Sequence, residues 1–349
     1  MEKELISIII PTRNEAENIV KLLNSIRLQT YRPIEVLVVD GCSTDGTPGL
    51  VKEYSKRYST DDFKIKLLSE CDFGSIRSPA NARNIGILNA NGKYIAFFDA
   101  DFDLSIDNTV IEKIVNNLRN HPWVGVKAKP ILDTDVEKAL ILENIIWGAG
   151  IYIHKYCAFR KELFDRLFDP CLGFGEDQDL FEYYFINYKK VYPIIIDAYV
   201  GRHEPHTFRE LINQQLWYWS TFYVFSRKRM DIKSTLKYIV HTFYSAIYTI
   251  FLLLFLVISL ILYSWNHFSL FIFIFALFFT VYRRNMKIYS RIPLHYRQFK
   301  IVLIFETIEL ILKPLLFCIG TLKYMFVIRK RTRKCYYVAF MRGYIWQNE

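Results

Sequence analysis

The sequence predicts an α/β fold, a parallel-rich sheet flanked by helices over residues 1–225, followed by an α-helical membrane region over 226–349. Three observations predict it. Short β-branched runs alternate with helical stretches through the first 130 residues, which is the pattern of repeated βα units. No Asp, Glu, Lys or Arg falls between Lys237 and Arg283, leaving room for two membrane spans of about 20 residues each. The net charge of +10 is concentrated after residue 200, around the apolar runs. That placement suits a cytosolic membrane face better than nucleic acid, whose partner would line a soluble surface with cations.

Leu5–Ile10 is a short apolar run typical of a buried parallel strand, ended by Pro11. Asn14 is placed to cap the next helix, whose Ile19, Leu22, Leu23 and Ile26 share one face. Ile34–Val39 is the second strand. Ser43-Thr44-Asp45-Gly46-Thr47 supplies turn and cap residues before a helix near 47–58. Phe63–Leu68 is the third strand, Pro79–Asn89 a helix, and Asn91-Gly92 the turn into the strand Tyr94–Phe98. From 131 to 200 the pattern is less regular. Gly175-Glu176-Asp177-Gln178-Asp179 opens a helix with acids in its first turn, where the helix dipole favours them, and Val191–Val200 is a further strand.

The uncharged run 238–282 divides at Ser264-Trp265-Asn266-His267 into helices of about 240–263 and 268–282. Arg227, Lys228, Arg229, Lys233 and Lys237 precede the hairpin, and Arg283, Arg284 and Lys287 follow it, so both ends belong in the cytosol. Residues of about 299–328 are apolar but carry Glu306, Glu309, Lys313 and Lys323, with Pro314 between them. They read as a re-entrant or interfacial helix pair. Met1-Glu-Lys-Glu is not a signal peptide, which keeps the N-terminal domain cytosolic. The six cysteines form no CxxC pair and no zinc spacing, and are read as free thiols.

Ligands of parallel sheets bind at the carboxyl ends of the strands. Here those ends carry Pro11-Thr12-Arg13-Asn14-Glu15, Asp40, and Asp99-Ala100-Asp101. No GxGxxG follows the first strand and no GxxxxGK[ST] occurs, which argues against a dinucleotide fold and a P-loop enzyme. Asp99 and Asp101, one residue apart at a strand end, can approach one hard cation, Mg²⁺ or Mn²⁺, with Asp103 as a third candidate. The bland alternative is a set of solvated turn acids.

The stretches SIIIPTRNEAENI, IEVLVVDGCSTDGT, SPANARNIGILNANGKYIAFFDAD and GFGEDQDL, in that order across residues 5–205, resemble the family 2 glycosyltransferases of GT-A fold. The resemblance implies that Pro11, Thr12 and Glu15 line a nucleotide and that Asp40 accepts from its base, most naturally the N3–H of uracil. Many members carry a second Asp where this chain has Gly41. Arg83 and Asp99 belong to the nucleotide side, with Arg83 alternatively holding a neighbouring acid. Asp99, Asp101, Asp103 and His203 are the implied metal ligands. Asp177 matches the catalytic base, and Glu176, Gly150 and Trp217 mark the acceptor or donor-sugar region. Gln215-Leu216-Trp217-Tyr218-Trp219 is similar to a QxxRW motif but has Tyr218 in place of Arg, so it reads as an aromatic membrane belt.

The implied reaction is an inverting, metal-dependent transfer from a UDP- or GDP-linked sugar to a lipid-linked or glycan acceptor at the cytosolic membrane face. Membrane lipids are the other expected partner, and nucleic acid is not. A polyprenyl phosphate acceptor is the alternative within the same class. A non-catalytic membrane scaffold with a degenerate nucleotide-sugar site is the alternative of another class, and the intact Asp99, Asp101 and Asp177 speak against it.

Overall fold

The computed structural model describes residues 3–73, 76–131, 152–173, 175–187 and 192–203, with separate positions between 207 and 224 and between 316 and 328. Two compact units divide the chain: residues 1–131, 151–204 and 326–349, and residues 132–150 and 205–325.

In the first unit, β1 (Ile6–Thr12), β2 (Ile34–Asp40), β3 (Phe63–Ser69) and β4 (Tyr94–Phe97) run parallel, joined through α1 (Ile19–Arg27), α2 (Thr47–Tyr58) and α3 (Pro79–Asn89). The chain continues through β5 (Phe102–Asp103), α4 (Val110–Leu118), β6 (Trp123–Ile131), β7 (Tyr152–Arg160), α5 (Glu176–Asn187) and β8 (Ile194–His203). The sheet has eight strands in the order β3-β2-β1-β4-β7-β6-β8-β5. β7 is antiparallel to both β4 and β6, and β5 is antiparallel to β8, while β6 and β8 are parallel. The sheet is therefore mixed, and the regular βα pattern in the sequence stops where its parallel part stops.

Side chains of a strand alternate between faces, and both faces here are covered. Ile6, Ile8 and Ile10 of β1 join Val36 and Val38 of β2 against Ile19, Leu22 and Leu23 of α1 and Ile111 and Ile114 of α4. Ile9, Leu37, Val39 and Phe97 face Ala82 and Ile85 of α3, together with Trp123, Phe159 and Tyr184. α3 packs so tightly on β1 that a Cβ on Gly86 would stand 2.4 Å from Ile9 Cγ2. That contact brings the inward face of α3 directly onto the sheet.

Two expectations are corrected. Asn14 does not cap α1. The helix starts later, after Asn18, while Asn14 sits at φ 57° and its Oδ1 accepts from Thr44 N at 2.9 Å. The loop after β1 is thereby laced to the loop after β2, which Asp45 reinforces by accepting from Ala16 N. Nor are all the cysteines free: Cys42 and Cys71 form a disulfide, and Cys171 is also disulfide-bonded. Loops that lie far apart in sequence converge at the sheet edge, and spacing does not show that. Cys157 and Cys318 are free thiols.

Among the described residues no helix is long and apolar enough to cross a membrane. The expected hairpin at 240–263 and 268–282 lies outside the described residues, as does most of 299–328. The second unit shows helical positions that include Trp217, whose carbonyl accepts from Ser220 and Thr221, and a helical turn over 318–323.

One acid inside β2 interrupts the apolar pattern. Glu35 is buried, and accepts from Ser7 Oγ at 2.6 Å, Asn91 N at 2.9 Å and Asn91 Nδ2 at 2.7 Å, with Lys66 at 3.4 Å. Burial pushes its carboxyl up, but the Asn91 and Ser7 hydrogen bonds and the Lys66 charge hold it below the usual value. A depressed folded pKa contributes stability above the unfolded pKa, and that contribution is lost as pH falls through the folded value. Glu35→Gln is expected to lose about 1–3 kcal/mol at pH 7. Denaturant melts should show the gap from the parent chain narrowing below about pH 4.

Candidate active site

α3 starts at Ser78, whose side chain accepts from Asn81 N at 3.0 Å, with Pro79 in the first turn. Both are favoured helix-start chemistry. Because α3 lies close on the sheet, Arg83 points inward instead of to solvent. Its Nη1 donates to Glu176 Oε1 at 2.6 Å and its Nη2 to Asp99 Oδ1 at 2.7 Å. One guanidinium thus ties the end of β4 to the start of α5, a task suited to Arg's planar fork.

The approach to α5 is fixed by Asn84, which donates to Phe168 O at 2.8 Å and accepts from Phe168 N at 2.9 Å. Gly175 takes φ 75° at the turn into the helix. Asp177 stands half-buried in the first turn with Oδ1 on Gln178 N, and Asp179 is fully buried against Arg166 at 3.3 Å. Burial pushes the Glu176 carboxyl up to about 7, with Arg83 opposing and Asp177 adding. Burial also raises Asp177. Asp99 is lowered, since Arg83, His154 and Arg202 outweigh its burial.

Thr12 closes β1, and its carbonyl accepts from Gly41 N at 2.8 Å. Its Oγ1 is buried with no hydrogen-bond partner among the described residues. Pro11 beside it is half-buried. Glu15 is held by Thr47 Oγ1 through its backbone and by Asn18 through its carboxylate. Its carboxyl is raised by burial and by the nearby Asp101, Asp45 and Asp99. Asp40 is buried and accepts from Ser43 N at 3.0 Å and from the Ser43 hydroxyl.

Asp101 Oδ2 accepts from Arg202 Nε at 3.1 Å, and Asp101 O from His203 N at 2.8 Å. Asp101 Oδ1 is buried and accepts nothing among the described residues. A buried carboxylate oxygen without a donor costs free energy unless something positive meets it. A hard divalent cation fits that oxygen. Asp103 is engaged elsewhere, accepting from Ser105 N at 2.7 Å and Ser105 Oγ at 2.9 Å. Among the described residues no group of three His, Cys, Asp or Glu side chains is arranged to hold a metal. Gly150 lies outside the described residues, and Trp217 belongs to the second unit.

His154 was not legible as a site residue. It is a lone histidine in a strand, which is usually structural. Its Nε2 lies 2.9 Å from Phe97 O, beyond the last β4–β7 pair, Ala96↔Ala158. The ring continues the ladder where backbone pairing ends and fixes the peptide two residues before Asp99. Burial is the main influence on the ring and lowers its pKa.

The description "Glycosyl transferase family 2" matches residues 7–168. Glycosyltransferase AglE of Haloferax volcanii is 44% identical over 98 residues, 28% of this chain and 30% of that protein. EpsJ of Bacillus subtilis, described as an uncharacterized glycosyltransferase, is 27% identical over 231 residues, 59% of this chain and 63% of that one. WfgD of Escherichia coli, a UDP-Glc:alpha-D-GlcNAc-diphosphoundecaprenol beta-1,3-glucosyltransferase, is 36% identical over 121 residues, 35% of this chain and 44% of that protein. The chain spans less than two thirds of the length of each of these curated relatives. Among solved structures, the mannosyltransferase PcManGT from Pyrobaculum calidifontis in complex with GDP-Man and Mn2+ is similar at a TM-score of 0.49 and 18% identity, over 93% of this chain and 88% of that one. These similarities support a glycosyltransferase, with the family match confined to residues 7–168.

Removing one partner of a buried ion pair leaves an uncompensated charge. Arg83→Met is therefore expected to cost about 3–5 kcal/mol in a denaturant melt. Adding Glu176→Gln should recover part of the loss, because it removes one of the two stranded acids.

Proposed function

We propose that the chain is an inverting glycosyltransferase that moves a sugar from a nucleotide sugar to a lipid-linked acceptor at the cytosolic membrane face. The observation that carries this reading is the double ion pair of Arg83. It makes one unit of the Asp99-Ala100-Asp101 strand end and the Glu176-Asp177 helix start. The first suits the diphosphate side of a donor, and the second the acceptor side.

In this reading Thr12, Glu15 and Asp40 hold the nucleoside. A Mg²⁺ or Mn²⁺ ion bound by Asp101 and Asp99 would neutralise the diphosphate as it departs. Asp177, raised by burial, removes the acceptor hydroxyl's proton as its oxygen bonds to the anomeric carbon and the bond to diphosphate breaks on the opposite face. Arg83 holds Glu176 beside it, so the base keeps its place when Asp99 meets the cation. The uncharged run 238–282, read as a membrane hairpin, keeps the domain beside a lipid-linked acceptor. WfgD acts on such an acceptor, which supports the choice.

Asp177→Asn is expected to lose about 10²–10⁴ in turnover with a hydroxyl acceptor while nucleotide-sugar affinity barely changes. Asp101→Asn should nearly abolish transfer without unfolding, and a chelator should do the same to the parent chain until Mg²⁺ or Mn²⁺ returns. Near-parental turnover of both variants would place the chemistry elsewhere. In sealed vesicles, tags at residues 1 and 349 should be open to cytosolic protease and a tag at Ser264–His267 protected from it. An external C-terminus would make 299–328 a third span.

A further inference from the structure

Two loops at the sheet edge are joined by a bridge that the proposed reaction does not use. Cys42 follows β2 and Cys71 follows β3, and their disulfide closes a separation of 29 residues. The two strands are already paired to their last rung, Asp40 with Ser69. The bridge therefore acts on the loops beyond the sheet.

Each loop is anchored to a different part of the site. On the β2 side, Thr12 O accepts from Gly41 N at 2.8 Å, Ser43 Oγ from Asn14 N at 2.8 Å, and Asp45 from Ala16 N at 3.0 Å. On the β3 side, Glu70 Oε1 accepts from Asn81 Nδ2 at 2.7 Å, at the start of α3. The disulfide thus couples the segment after β1 to the helix that carries Arg83. Cys42 sits at φ 63°, a left-handed conformation that a residue with a side chain keeps only where its surroundings impose it.

The bridge is also placed for exchange. Cys71 is exposed and Cys42 is half-buried. Arg77 Nε donates to Cys42 Sγ at 2.8 Å. A guanidinium beside a sulfur favours its thiolate, and a stabilised thiolate leaves readily. Access and charge select the same direction: attack on Cys71, departure of Cys42.

We infer that Cys42–Cys71 is a reversible thiol-exchange site opened by a dithiol, and that opening weakens donor binding by uncoupling the Thr12–Glu15 segment from α3. The effect on donor binding rests on the nucleotide-sugar reading above; the exchange does not. A thiolate of the dithiol attacks Cys71 Sγ, forming a mixed disulfide as the Cys42–Cys71 bond breaks. The electron pair of that bond leaves on Cys42, beside Arg77. The second thiol of the dithiol then bonds to the dithiol's own first sulfur and expels Cys71 as a thiolate. The dithiol is oxidised to a disulfide, the bridge is reduced to two thiols, and the two protons of the dithiol end on them. At a cytosolic face such dithiols are present, and disulfides are usually transient.

The test equilibrates the full chain with mixtures of reduced and oxidised dithiothreitol. Maleimide labelling and peptide mass spectrometry read the open fraction. UDP and GDP binding, with Mn²⁺, and circular dichroism are measured on the same samples. Cys42 and Cys71 should become labelled while the fold persists, and affinity for the nucleotide that binds should fall about tenfold or more. Oxidised dithiothreitol should reverse both. Cys171 is also disulfide-bonded, so Cys42→Ser/Cys71→Ser is the control: it should bind weakly and not respond to dithiothreitol. Brief reaction of the parent chain with glutathione should leave the adduct on Cys71, and Arg77→Gln should slow its formation roughly tenfold. A bridge that opens only with unfolding, or that opens without changing affinity, overturns the proposal. An adduct on Cys42 overturns the direction of exchange. If the oxidised, folded chain binds neither nucleotide, the nucleotide-sugar reading fails, while the labelling still decides the exchange.

Discussion

The Arg83 guanidinium is the interaction on which the rest of the site depends. A buried guanidinium beside the buried Glu176 and the part-exposed Asp99 is tolerable because each carboxylate oxygen that faces Arg83 receives an N–H at hydrogen-bond distance. The arrangement forces three separate events in the chain to agree. α3 must lie close enough to β1 for its inward face to reach the edge, which Gly86 permits. β4 must end at Phe97 so that Asp99 turns back toward α3. The loop before α5 must deliver Glu176, which the reciprocal Asn84–Phe168 bonds secure.

The same edge shows how buried polar groups divide the labour. Several are satisfied within the protein: Glu35 by Asn91 and Ser7, Asp40 by Ser43, Asp179 by Arg166. Among the buried oxygens that lack a partner within the described residues are two at the strand ends, Thr12 Oγ1 and Asp101 Oδ1. Native interiors rarely leave such atoms unpaired without a functional reason. Here they lie on the strand ends that would meet a nucleotide and its cation.

Much of this was legible in the sequence where local chemistry governs. The first four strands and the helices 47–58 and 79–89 follow from apolar alternation and turn residues, and the structure places them within one or two residues of those positions, although Pro11 does not end β1, which pairs on with β2 through Thr12. The acids Asp99, Asp101 and Asp177 could be picked out because strand ends and helix starts are readable. What could not be read depends on contacts distant in sequence. The antiparallel return of β7 beside β4, the lacing of Asn14 to Thr44, and the disulfide of Cys42 with Cys71 each join segments whose spacing carries no signal. Asp103 looked equivalent to its neighbours in sequence, yet one turn hydrogen-bonded to Ser105 occupies both of its oxygens. His154 gave no signal at all, because a single imidazole in a strand is informative only once the carbonyl it meets is known.

In the proposed reading, the carboxyl edge of this sheet holds a nucleotide diphosphate and a cation against the unit organised by Arg83. Anomalous scattering from Mn²⁺ in crystals grown with UDP tests it most directly. The expected result is one Mn²⁺ peak at Asp101 Oδ1, bridging to the diphosphate, with Arg83 still between Asp99 and Glu176. A nucleotide bound away from Thr12 and Asp40, or a metal peak that avoids Asp101 while UDP is present, would contradict it.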